Sequence, residues 1–151
     1  PEQRRILMLS SLLFAASFLL CALDFRFGWS AVPAWLSTTA CAVFLLAYAG
    51  FAELLRENEY LSRSVELQAG QKVVSTGMYG IVRHPMYAVI IWLFLSMPLI
   101  LGSYIGLIPL AFIPYVLAKR LLNEEKLLRG GLDGYDEYMQ KVRYRLIPFV
   151  W

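Results

Sequence analysis

A single histidine, two cysteines and long stretches without charge set the first limits on this 151-residue chain. From residue 84 to residue 118 there is no Asp, Glu, Lys or Arg at all. Metal ligation requires several Cys, His or carboxylate side chains at close spacing. Cys21 and Cys41 lie apart inside apolar blocks, and His84 is the one imidazole. No metal is therefore expected, and both cysteines read as packing residues. The chain has no internal repeat and no low-complexity tract. It also lacks a basic stripe on a polar helix, so its net charge of +3 gives no reason to expect a nucleic-acid partner.

What is abundant is apolar. Hydrophobic residues make up 59% of the chain, and they come as charge-free blocks at 6–23, 27–52 and 84–118 rather than at helical spacing. A membrane helix needs about 20 apolar residues rising ~1.5 Å each. The first block suffices for one span and the second for a tilted one. The third would extend about 52 Å as one helix, well beyond a core ~30 Å thick. It is expected to fold back at Gly102-Ser103 into Pro85–Leu101 and Tyr104–Ala118. Arg4-Arg5 before an apolar run resembles the start of a signal peptide, but no small-residue cleavage site follows Cys21-Ala22-Leu23. The chain begins at Pro1 rather than Met, which leaves room for a further helix upstream.

The expected fold is thus an all-α integral membrane protein, a single membrane domain over 1–151 with about four transmembrane helices in two hairpins. The first hairpin covers 1–54, with Trp29 and Trp35 suited to the membrane interface. A polar segment follows at 55–83, helical through Arg63 and then a loop closed by Gly77 and Gly80. The second hairpin covers 84–118, kinked by Pro98, Pro109 and Pro114. Residues 119–151 begin as an amphipathic helix to 141, interrupted at Gly130-Gly131 and Gly134, and end in a tail that returns to the interface. Of the 14 Lys and Arg residues, Arg26 alone falls in a far-side loop. By the positive-inside rule, both termini and the 55–83 segment are cytoplasmic, a charge bias that also suits anionic lipid headgroups.

Two polar clusters bracket the second hairpin and so return to the same membrane face. In Arg83-His84-Pro85, proline at a first helical position loses no hydrogen bond. His84 then sits at the helix N-cap beside unpaired N–H groups that attract a carboxylate or phosphate. Tyr79 and Tyr87 add hydroxyls and aromatic walls. Arg83 and His84 read equally as interfacial anchors of a span. In the second cluster, Arg120 and Glu124 are four apart and share a helical face, either as an ordinary exposed ion pair worth ~0.3–0.5 kcal/mol or as a desolvated recognition site. Glu125 faces elsewhere and reads as structural.

These residues resemble a known family. Gly77-x-Tyr79-x-x-Val82-Arg83-His84-Pro85-x-Tyr87, preceded by Val73-Val74-Ser75-Thr76, is followed by Arg120-x-x-x-Glu124-Glu125-x-x-Leu128. The tail adds Gly134-Tyr135-Asp136-Glu137-Tyr138, Val142-Arg143 and Leu146-Ile147-Pro148. Over roughly residues 55–150 the pattern is similar to the isoprenylcysteine carboxyl methyltransferase family. The resemblance implies a membrane enzyme that uses S-adenosyl-L-methionine. Its cofactor would be lined by Gln68, Gln71, Lys72, Val73 and Val74, held by Tyr79, His84, Pro85, Met86 and Tyr87, and bound through its ammonium by Glu124. Arg120 would bind the substrate, orienting the carboxylate that accepts the methyl group; Arg120 and Glu124 are thus the implied catalytic pair. The implied partners are the lipid bilayer and a lipophilic or lipidated acceptor.

Phospholipid and amine N-methyltransferases share the Arg-His-Pro-x-Tyr element, as do sterol reductases that bind a nicotinamide cofactor. The reductases usually carry Asn after the proline, where this chain has Met86. A non-enzymatic membrane scaffold is the remaining alternative. The topology can be checked by single-cysteine labelling after Cys21 and Cys41 are replaced by alanine. A membrane-impermeant reagent added outside is expected to label Gly28→Cys and to spare Gln71→Cys; labelling at position 71 would reverse the orientation.

Overall fold

The computed structural model describes residues 2–60 and 70–151. It is all helical: α1 (Glu2–Phe27), α2 (Ala34–Glu57), a 3-10 turn at Gly77–Gly80, α3 (Pro85–Ile100), α4 (Leu107–Leu110), α5 (Ile113–Gly131) and α6 (Tyr135–Lys141). α2 packs along α3, while α1 packs against α4 and α5.

Two helices, Gln3–Phe27 and Ala34–Glu57, are long and apolar enough to cross a membrane. Their large apolar side chains point outward along the whole length: Met8, Leu12, Leu19, Leu45 and Leu46 are all more than half exposed. Such a continuous apolar surface belongs in lipid, where a helix satisfies its own backbone groups. The protein is membrane-associated.

The second hairpin departs from expectation. α3 has 16 residues, about 24 Å of rise, short of a full span on its own. The expected helix Tyr104–Ala118 does not form as one piece. After Gly102, at φ +79, the chain turns irregularly, makes the four-residue α4 and begins α5 at Ile113. Pro114 lies in the first turn of α5, where a missing N–H leaves no bond unmade, so it starts a helix rather than kinking one. α5 then runs unbroken past Ala118 to Gly131, joining the apolar segment to the polar one. The break expected within 119–141 falls at Leu132–Gly134, where Gly134 adopts φ +81 ahead of α6. The helix expected through Arg63 ends at Glu57, with Asn58 as its C-cap. Residues 61–69, including Arg63 and Gln68, lie outside the described residues.

The end where α1 meets the 101–106 turn is pinned by one acid. Asp24 is 1% exposed, and its carboxylate accepts from the backbone N–H and hydroxyl of Ser30 and from the hydroxyl of Ser103. Ser103 in turn accepts from the Gly106 N–H at 3.0 Å, and Ser17 donates to the Gly106 carbonyl at 2.7 Å. A Cβ on Gly106 would fall 2.3 Å from Cys21 Sγ, so this contact between α1 and the 101–106 turn requires glycine. A buried carboxylate without such donors would be costly.

On the opposite side Tyr87, Leu110, Ile113, Leu117, Leu121 and Leu146 form one apolar core, joined by Leu13 and Phe14 from α1. A smaller cluster of Tyr135, Tyr138 and Val142 packs on Val73, Leu128 and Leu132. These two clusters hold the start of α3, the polar half of α5 and the C-terminal segment around a common space.

Candidate active site

The 3-10 turn presents Tyr79. Gly77 has φ +50, a conformation that favours glycine, and a Cβ there would push the Glu57 carboxylate aside. Glu57 accepts from the Met78 N–H at 3.3 Å. The Tyr79 hydroxyl accepts from Asn58 Nδ2 at 3.0 Å, and its carbonyl accepts from the Tyr138 hydroxyl at 2.7 Å. Burial pushes the Tyr79 hydroxyl up to about 12, so it stays neutral. Burial also raises the Tyr135 and Tyr138 hydroxyls.

Beyond the turn, the chain pairs with its own tail. Arg83 N–H donates to the Tyr144 carbonyl and His84 N–H to the Arg145 carbonyl, each at 2.9 Å. The Arg83 side chain is 4% exposed. Its Nε donates to Glu125 Oε1 at 2.8 Å, and Nη1 donates to the carbonyls of Val142 and Arg143, both at 3.0 Å. His84 Nε2 lies 3.2 Å from the same Oε1, and Arg145 Nε donates to Glu125 Oε2 at 2.9 Å. Burial alone would push the Glu125 carboxyl upward, but donors from His84, Arg145 and Arg83 outweigh it and hold it at about 2.

Above this base lies a cavity of about 90 Å³ that opens to the surface. Gln71, Lys72, Val73 and Val74 form one wall, Tyr79, His84, Met86 and Tyr87 a second, and Arg120 and Glu124 a third. The Tyr87 hydroxyl donates to Glu124 Oε2 at 2.5 Å, and the Arg120 guanidinium carbon lies 5.9 Å from the Tyr87 ring centroid. Tyr87 therefore bridges the two residues whose four-residue spacing singled them out. Of the expected site residues, Pro85 is buried at the first turn of α3 and does not line the cavity; Gln68 lies outside the described residues. His84 is the N-cap of α3, as expected, but its N–H is not unpaired: it is bound by the tail.

Asn58, Tyr60, Arg83, Leu127, Leu128, Leu132, Tyr135 and Tyr138 also line the cavity, without having been expected there. Tyr135 and Tyr138 are three apart on α6, a spacing that puts both on one face. Asn58 carries no sequence signal beyond its place after an apolar block. The Tyr135 hydroxyl is buried and has no hydrogen-bond partner among the described residues.

The chain is thus a membrane-associated, all-α protein with a polar-lined cavity where helix ends meet. Residues 35–130 match the model of the isoprenylcysteine carboxyl methyltransferase (ICMT) family, and the chain belongs to that family. It is accordingly an S-adenosylmethionine-dependent methyltransferase. No curated protein matches the chain.

Glu125 sets a pH window. Its carboxyl is held at about 2, below the ordinary 4.5, so its stabilisation is present above pH 4.5 and is lost as pH falls toward about 2. At pH 7 Glu125→Gln strands buried guanidinium groups and is expected to cost roughly 3–5 kcal/mol. Thermal unfolding across pH should show the gap between parent and variant narrowing below pH 4.5. A constant gap would place the variant's effect elsewhere.

Proposed function

We propose that this cavity binds S-adenosylmethionine and that the enzyme methylates a carboxylate on a lipophilic, isoprenylcysteine-like acceptor. The observation that carries the reading is the charge balance of the wall. Lys72, Arg83 and Arg120 face a single carboxylate, Glu124, among the described lining residues. Arg83 is committed to Glu125. Glu124 matches the cofactor's ammonium, and Lys72 and Arg120 match two carboxylates, the cofactor's own and the acceptor's. An amine acceptor would want a second acid in the wall, which the described residues do not supply. The buried Tyr135 hydroxyl adds a donor for a polar ligand, and Val73, Val74, Leu127, Leu128 and Leu132 provide apolar cover.

When bound, the cofactor supplies a methyl group made electrophilic by its sulfonium. An acceptor carboxylate is already ionised near neutral pH, so the chain has no proton to remove. What its residues contribute is placement and dryness. Tyr87 fixes Glu124 by donating to one oxygen and leaves acceptor capacity on the carboxylate. Arg120 can hold a carboxylate bidentately. In the same reading α1 and α2 cross the bilayer, the second hairpin completes the membrane domain, and the cavity and both termini face the cytoplasm.

Glu124→Gln is expected to raise the dissociation constant for S-adenosylmethionine tenfold or more, as loss of a charged hydrogen bond of about 1.5–3 kcal/mol implies. Arg120→Ala is expected to keep cofactor binding and lose turnover with a prenylated thioether acid. Arg120→Lys should rescue poorly, because a point charge cannot hold a carboxylate in a fixed plane. Calorimetric titration alongside turnover separates the two effects; equal, modest losses from both changes would reduce the pair to a surface ion pair.

A further inference from the structure

Residue 145 reaches His84 twice. Its backbone carbonyl accepts the His84 N–H at 2.9 Å, and its side chain donates to Glu125, which engages the His84 ring. Glu125 lies outside the cavity wall, as does Arg145, whereas His84 is in it. A histidine held at both backbone and ring, 5% exposed, has one orientation available to it.

The Glu125 carboxyl titrates at about 2 and is therefore ionised near neutral pH, able only to accept. His84 Nε2 must then carry a proton and donate, and Nδ1 is the nitrogen not committed to Glu125. Arg83 already meets the carboxylate with Nε and Nη2, both at 2.8 Å. A buried ion pair is in any case a weak stabiliser relative to apolar packing. Adding His84 and the partly exposed Arg145 to the same carboxylate does little for packing, but it fixes a ring, as the partners of ligand-binding histidines do elsewhere.

We propose that Glu125 and Arg145 are positioning residues for the cofactor, acting through His84 to fix which ring nitrogen the cavity receives and where. The C-terminal segment is thereby part of the cofactor site without lining it. This rests on the reading that the cavity binds S-adenosylmethionine.

His84 is the one histidine of the chain, so protein labelled with 15N-histidine and purified without a histidine tag gives the signals of a single imidazole. In the parent at neutral pH, Nε2 is expected to be protonated with a slowly exchanging proton, and S-adenosylhomocysteine is expected to move the Nδ1 signal. Arg145→Ala should speed exchange of the Nε2 proton and weaken S-adenosylhomocysteine binding about tenfold. With saturating cofactor, turnover should stay within about twofold, the pattern of lost ground-state binding. Arg145→Lys, which keeps the charge, should recover part of the affinity. An unprotonated Nε2 in the parent overturns the proposal without involving any variant. So does an Arg145→Ala protein whose histidine signals move while its affinity does not, or whose affinity falls only in step with its folded fraction. A parent that binds no S-adenosylhomocysteine overturns the cofactor reading and this proposal together.

Discussion

The half of the molecule that holds the cavity depends on one buried carboxylate. Glu125, 4% exposed, gathers Arg83 from the start of α3, His84 from its N-cap and Arg145 from the tail. Charges buried this deeply are tolerated only when fully paired and hydrogen-bonded. Arg83 and His84 come from the entry to α3 and Arg145 from the tail, so satisfying Glu125 fixes where α3 enters, where α5 lies and how the tail folds back. The cavity is the space left between these elements. Its floor, walls and polar groups follow from that constraint rather than from the apolar core alone.

The membrane imposes the complementary demand at the other end. Asp24 is as deeply buried as Glu125, but it is met by hydroxyl and N–H donors from Ser30 and Ser103 in place of cations. Both solutions leave no acid without donors. Between them α1 and α2 turn large apolar side chains outward, as helices in lipid do. Glycines stand where the two ends need close approach: Gly106 against Cys21, and Gly77 against Glu57. Polar chemistry is thereby gathered at two levels, and the polar-lined cavity lies at one of them.

Much of this was legible in the sequence, and the reasons differ by element. Charge-free blocks located α1, α2 and α3, because lipid-facing helices need length and apolarity above all. The segment Gly77 to Tyr87 and the Arg120–Glu124 spacing pointed to residues that line the cavity, since a turn glycine, a proline at a helix start and an i,i+4 pair are local features. The Tyr104–Ala118 helix was misread because apolar composition cannot tell a straight helix from a broken one, and prolines can start helices as well as bend them. The setting of Glu125 was only half visible: the helical spacing sets it apart from the Arg120–Glu124 face, but its partners lie 20, 41 and 42 residues away. Asn58 and Tyr138 join the cavity through tertiary contacts with Tyr79, which no sequence window contains.

The central claim is that one cavity, built on the Glu125 clamp, holds the methyl donor. Ultraviolet cross-linking of radiolabelled S-adenosylmethionine to the protein in nanodiscs, followed by peptide mapping, tests it most directly. The label is predicted to fall within residues 71–87 or 120–138 and to be competed by S-adenosylhomocysteine but not by NADPH. Labelling confined to the α2–α3 groove around Ala40 and Trp92, or competition by NADPH, would contradict the account.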